Sequence, residues 1–202
     1  MKNDSGVKDY WVGVDASTTM NKKDPPGAIT RWDHAREVAK SIVSKCETAY
    51  SKGIDLVVFS DRLKTYEGVT AAKVEEILQE WTPNGSTDIA GVVQMITQSY
   101  FDRKSQGPVN PISVLILTDG LPSTETDVLE TIKAACEKMD SENEISISFV
   151  QVGTDEAGRD YLKKLKADLS GAKYDIVAVK TFEDLSQATI EDLLPKAPEA
   201  VV

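Results

Sequence analysis

The stretch "PISVLILTDG", residues 111–120, is the most continuous apolar run in the chain, and it ends abruptly on Thr118, Asp119 and Gly120. A run that is apolar at every position, rather than at alternate ones, fits a parallel strand covered on both faces. Such a strand requires helices on each side, so the flanking sequence decides the fold. Upstream, "DYWVGVD" (9–15) reads as a first strand. Ala35, Val38, Ala39, Ile42, Val43, Cys46 and Tyr50 then recur at helical spacing and predict a helix over 30–50, with Thr30 and Asp33 as a capping pair. "IDLVVFS" (54–60) reads as a buried strand, and 62–68 as its antiparallel partner, since a turn as tight as Ser60-Asp61 leaves no room for a parallel crossover. Helices follow over 71–81, with Val74, Ile77, Leu78 and Trp81 inward, and over 88–103, with Ile89, Val92, Val93, Ile96 and Tyr100 on one face.

Downstream the alternation continues. A helix over 125–140 uses Leu129, Ile132, Cys136 and Met139; a strand covers 144–153; a helix begins near 159 with Gly171 as its expected C-cap. A last strand spans 174–180, and a last helix spans 181–194 with Thr181 as N-cap and Asp184 at N3. Strands alternating with helices imply an α/β, Rossmann-like three-layer fold: a mostly parallel central sheet with one short antiparallel edge strand and helices on both faces. Residues 8–194 read as a single domain, with tails at 1–7 and 195–202.

Composition narrows the function. At 202 residues the chain is long enough for one α/β domain with a sizeable core. It carries 23 Lys and Arg against 33 Asp and Glu, a formal net charge of -10, which argues against a general nucleic-acid or anionic-membrane binder. Divalent cations and basic partners are compatible with that charge, as is plain solubility. No apolar run approaches the roughly 18 residues of a membrane span, and the first residues show no apolar leader. Cys46 and Cys136 fall on predicted apolar helix faces and read as buried free thiols. The expectation is a reducing, cytoplasmic setting.

Ligands of open α/β sheets bind outside the carboxyl ends of the strands, so the polar residues just after the strands are the ones to inspect. Asp15-Ala16-Ser17-Thr18-Thr19 follows the first strand, Ser86-Thr87-Asp88 opens a helix after "TPNG", and Thr118-Asp119-Gly120 follows the central strand. Each alone has an ordinary reading as turn or cap residues; Asp88 suits a cap or an outer role, and Asp61 a turn. Together they offer carboxylates and hydroxyls without His or Cys. Oxygen-only donors suit hard divalent cations such as Mg²⁺, with Mn²⁺ accepting the same set, and disfavour zinc. Neutral hydroxyl ligands would leave such a cation under-neutralised and electrophilic.

"VDASTT", "GSTDI" and "LILTDG", in this order and spacing, resemble the von Willebrand factor A (VWA) domain family and its metal-ion-dependent adhesion site. The resemblance covers roughly residues 8–194. It implies Asp15, Ser17, Thr19, Thr87 and Asp119 as metal ligands, with Thr19 standing where the family usually has Ser. It also implies Mg²⁺ as the cofactor, with Mn²⁺ or Ca²⁺ as alternatives, and a non-enzymatic adhesion or scaffold module that captures an Asp or Glu of a protein partner. Larger assemblies, including ones with an AAA+ ATPase, are implied in the same way, as is a last helix that shifts between affinity states. The alternative is a Mg²⁺-dependent phosphatase or phosphotransferase. Haloacid-dehalogenase-like proteins also place an Asp after the first strand, but need a second Asp where this chain has Ser17, and no His, Cys or Gly-rich phosphate loop supplies acid–base chemistry. A third possibility is a scaffold subunit in which the motif is idle. Elsewhere, Lys22, Lys23 and Arg31 could attract an acidic partner but read by default as a solvated charge cluster, Trp32 reads as partly exposed, Trp81 as core, and Pro25-Pro26-Gly27 equally as a loop that shapes recognition or as a rigid connector beside the first motif.

Overall fold

The computed structural model describes residues 8–24, 28–49, 53–181 and 184. The connector at 25–27, Tyr50, both tails and nearly all of the expected last helix lie outside the described residues. Thr181 and Asp184 are described, and they bond reciprocally as a capping pair, Thr181 N–H to Asp184 Oδ2 at 2.7 Å and Asp184 N–H to Thr181 Oγ1 at 3.4 Å.

Six strands form the sheet: β1 (Asp9–Asp15), β2 (Ile54–Phe59), β3 (Leu63–Val69), β4 (Ile112–Thr118), β5 (Ile145–Gln151) and β6 (Val177–Thr181). Their order is β3-β2-β1-β4-β5-β6. All neighbours are parallel except the β2–β3 hairpin at the edge. The helices are α1 (Arg31–Ala49), α2 (Ala71–Gln79), α3 (Ile89–Gln106), α4 (Glu125–Lys138) and α5 (Glu156–Asp168).

Every residue of β4 is buried, because the strand serves both faces. Leu115 and Leu117 pack with Ala35, Ala39, Ile42, Val74 and Leu78 of α1 and α2. Ile112, Val114 and Ile116 pack with residues of α3, α4 and α5 on the other side. This is the physical cause of its unbroken apolar sequence. The thiols of Cys46 and Cys136 are free and buried among these side chains, as their helix positions predict.

Several expectations are corrected. Trp32 is not partly exposed: it is 6% exposed and joins the α1-side core with Met20 and Val152. Trp81 is only half-buried, because α2 ends at Gln79 and the indole lies over the hairpin edge, donating Nε1–H to Tyr66 Oη at 3.1 Å under the Arg62 guanidinium. On α4 Val128 is fully buried alongside Ile132 and Cys136, while Leu129 lies at the margin. Gly171 does not cap α5 in the left-handed region; the helix stops at Asp168 and the chain leaves through a 3₁₀ turn, Leu169–Gly171. Among the described residues no helix is long and apolar enough to cross a membrane.

Strand order reverses between β1 and β4: α1 follows β1 on one face and α4 follows β4 on the other. The switch point is closed from beyond by the first turn of α5. A methyl on Gly158 would lie 2.0 Å from the Asp119 carbonyl oxygen, so only glycine lets α5 approach the end of β4 this closely. Gly158→Ala is expected to destabilise the protein by about 1–3 kcal/mol through overpacking, measured as a fall in the urea unfolding midpoint at unchanged slope.

Candidate metal centre

Asp15 is the last residue of β1 and Asp119 the first after β4, and pairing of Val14 with Leu117 brings their strands to a common end. Both carboxylates are buried, at 0% and 1% exposure. Asp15 Oδ1 accepts the Ser17 N–H at 2.8 Å, and Oδ2 accepts the Thr118 hydroxyl at 2.7 Å. Burial, then the neighbouring negative charge of Asp119, push the Asp15 carboxyl up to about 7 against these two hydrogen bonds.

The local sequence explains the loop that follows. Asp15 and Ser17 make an Asx-type turn, after which Thr18–Asn21 tighten into a 3₁₀ turn with Met20 buried beneath. Alternate side chains separate: Thr18 is exposed and its hydroxyl donates to the Gly85 carbonyl at 3.1 Å, whereas Ser17 Oγ and Thr19 Oγ1 lie 3.1 Å apart. The strap at 83–85 is bound to this loop through Asn84 N–H to Ala16 O, Thr18 N–H to Gly85 O, and the Asn21 amide to Pro83 O. It delivers Thr87, 6% exposed, which is clasped in both directions by Ser123 after β4: Thr87 N–H donates to Ser123 Oγ and Ser123 N–H to Thr87 O. Asp15, Ser17 and Thr19 are thus directly linked, Asp119 stands close enough to perturb Asp15, and Thr87 is tied in through residues 85 and 123.

Asp88, rather than Ser86 or Thr87, caps α3, its carboxylate accepting the Gly91 N–H at 2.8 Å. Asp61 sits in the hairpin turn and accepts from the Ser60 hydroxyl at 3.0 Å. A cleft of about 230 Å³ opens beside Thr87, lined by Asp61, Asp88, Ser123 and Asp127 among others.

One residue overturns its sequence reading. Lys22 and Lys23 are exposed, but Arg31, the first residue of α1, is 2% exposed and is no part of a solvated cluster. Its Nη1 donates to Asp119 Oδ2 at 2.8 Å, its Nε to Asp24 Oδ1 at 2.8 Å, and its Nη2 reaches Asp24 and, at 3.4 Å, Asp155. Hydrogen bonding from Arg31 holds the Asp24 carboxyl below its usual range. Asp155 also caps α5 through the Ala157 and Gly158 amides. Asp155 was within reach of the strand-end rule, because "GTDEAG" follows β5 as "DASTT" follows β1; Arg31 and Asp24 carried no such signal.

Among the described residues no three His, Cys, Asp or Glu side chains are grouped to hold a metal ion. A cation here would rest on two carboxylates and on hydroxyls. That donor set fits a hard divalent ion, with Asp119 Oδ1 and the lone pairs of Ser17 and Thr19 as the available oxygens.

No protein-family profile and no curated protein matches this sequence. Solved structures do. The chain is similar to the SpRpn10 VWA domain (TM-score 0.66, 14% identity, 91% of this chain and 96% of that one). It is also similar to manganese-loaded TRAP protein of Plasmodium vivax (0.60, 14%, 93% and 74%) and to the conserved hypothetical protein BatB of Bacteroides thetaiotaomicron (0.58, 16%, 86% and 90%). These likenesses establish the fold. Replacing the Asp15 partner by Thr118→Val should cost about 1.5–3 kcal/mol, the worth of a buried hydrogen bond to a charged group, read by chemical denaturation in EDTA. The chain has the three-layer, Rossmann-like fold of VWA domains.

Proposed function

We propose that this chain is a non-enzymatic protein-binding module that captures an acidic residue of a partner protein through a divalent cation. The ion is Mg²⁺, with Mn²⁺ or Ca²⁺ as alternatives, and its ligands are Asp15, Ser17, Thr19, Thr87 and Asp119. The observation that carries the reading is the pair of buried carboxylates at the switch point, with Asp15 bonded by the Thr118 hydroxyl and followed by the paired Ser17 and Thr19 hydroxyls. The manganese carried by the P. vivax TRAP protein, on the same fold, supports it.

When bound, the cation supplies a positive charge and an exchangeable position for a partner carboxylate. Asp15 is held for direct ligation by the Ser17 amide and the Thr118 hydroxyl, which fix both its oxygens. Ser17 and Thr19 present adjacent neutral oxygens, which bind without cancelling charge. The Thr87 backbone is locked by Ser123, so in this reading its hydroxyl would be offered from a rigid loop. Membership of a larger assembly, with an AAA+ ATPase among its components, belongs to the same proposal.

A scaffold that works without metal is favoured by one observation: Arg31 already neutralises Asp119. Calorimetry with Mn²⁺ separates the two. Wild type should give a binding heat, and Ser17→Ala, which removes an oxygen without changing charge, should bind on the order of tenfold or more weakly. A silent wild type rejects the cation. Capture of a protein partner should be lost both in EDTA and in Ser17→Ala; capture that survives both identifies the metal-free scaffold.

A further inference from the structure

Among the described residues Arg31 is the largest side chain buried to this degree, and its surroundings are built for it. A buried guanidinium is costly unless its donors are met, and here they are met by carboxylates from three separate loops: Asp119 after β4, Asp24 after the 3₁₀ turn, and Asp155 after β5. The third loop makes room for the group. Gly153 has φ +85°, and a methyl there would come within 2.6 Å of Arg31 Nε and 2.7 Å of Asp24 Oδ1. Thr154 N–H adds a bond to Asp24 at 3.2 Å, and Lys22 adds one to Asp155 at 3.3 Å. The backbone of Arg31 is pinned as well, its N–H donating to Lys22 O at 2.8 Å.

The fork divides its donors. Nη1 faces inward to one oxygen of Asp119, while Nε and Nη2 face outward to Asp24 and Asp155. Asp119 Oδ2 therefore cannot serve a cation without giving up or sharing the guanidinium. Asp24, Asp119 and Asp155 stand against Arg31 and Lys22, one more carboxylate than cations, and the buried Asp15 carboxyl adjoins them, so the group has use for further positive charge.

We propose that Arg31 is the built-in counter-ion and positioning residue of the site: it holds Asp119 in the metal-free protein, competes with a divalent cation for that carboxylate, and is drawn off it by Asp24. The proposal rests on the reading of the site as a cation seat. It assigns Asp24 a function at a distance, since Asp24 strengthens cation binding by pulling the guanidinium outward. It also links cation binding to the loops at 22–24 and 153–155, because the same guanidinium ties both to Asp119.

The test is Mn²⁺ calorimetry together with thermal unfolding in EDTA, on full-length wild type, Arg31→Gln, Asp24→Asn and the double variant. Arg31→Gln should lower the metal-free unfolding midpoint by roughly 6 °C or more, since one partner of a buried pair is lost. It should nevertheless bind Mn²⁺ about tenfold more tightly. Asp24→Asn should bind Mn²⁺ more weakly in the wild-type background and should change nothing in the Arg31→Gln background. A purely structural arginine would instead weaken binding when removed. Arg31→Gln affinity within twofold of wild type, or below it, overturns the proposal and leaves the cation seat standing. If Arg31→Gln does not fold, unchanged or tighter binding by Asp24→Asn overturns it. Binding by Arg31→Gln alone, with wild type silent, supports it; silence in both rejects the cation seat and this proposal together.

Discussion

Parallel pairing of β1 with β4 places two carboxylates at the same dry edge of the sheet. The register Val14 to Leu117 sets Asp15 beside Thr118, one residue before Asp119. Because β4 is buried throughout and β1 from Tyr10 onward, the carboxylates arrive with almost no solvent to share their charge. Isolated carboxylates in such surroundings either protonate or find a positive partner. Most of the architecture around the switch point is a response to that constraint.

The response has two halves with different strengths. On the β1 side neutral donors reach Asp15, the Ser17 amide and the Thr118 hydroxyl among them, while burial pushes its carboxyl up to about 7. On the β4 side a full charge reaches Asp119. The asymmetry matters: a site neutralised on both carboxylates would have no use for a cation, and one neutralised on neither would hold two unbalanced charges in the core. The loops share the work. Residues 83–85 brace the β1 loop, Ser123 braces Thr87, and α5 closes on Asp119 through Gly158. None of these braces is itself charged, so they fix geometry without altering the electrostatic balance.

The fold was legible because its signals are local and periodic. The unbroken run at 112–118 marks a strand covered on both faces, and the Thr30–Asp33 pair marks a helix start that the structure keeps, with Asp33 N–H bonded to Thr30 Oγ1 at 3.0 Å. The strand-end residues were legible for a related reason, since strand ends are positions the sheet itself defines. Arg31 was not, because only Asp24, seven positions away, is local, while Asp119 and Asp155 lie 88 and 124 positions away, and an arginine at the start of a helix is by default solvated. Trp32 differs: it lies three positions before Ala35 and so extends the 35–39–42–46 stripe by one turn, and it packs in the same core as Met20. What pairs across the sheet's loops is set by tertiary packing, which one-dimensional periodicity does not encode.

Thr19 shows how the same structure bears on a residue that looked anomalous. Beside the serine usual at this position in VWA domains, its methyl suggests crowding and a weaker ligand. Yet Thr19 is half-buried within a 3₁₀ turn whose backbone is already closed, Lys22 N–H bonding its carbonyl and Met20 filling the space below. The methyl therefore has no turn left to distort, and Oγ1 still meets Ser17 Oγ at 3.1 Å. β-Branching restricts χ1, so the hydroxyl is aimed before any ligand arrives and loses less rotamer freedom on binding than serine would. In a loop braced by the strap at 83–85 and the turn at 18–21, threonine offers a pre-set oxygen. For the proposed cation its methyl would then bear on the rigidity of the seat rather than on the number of its donors.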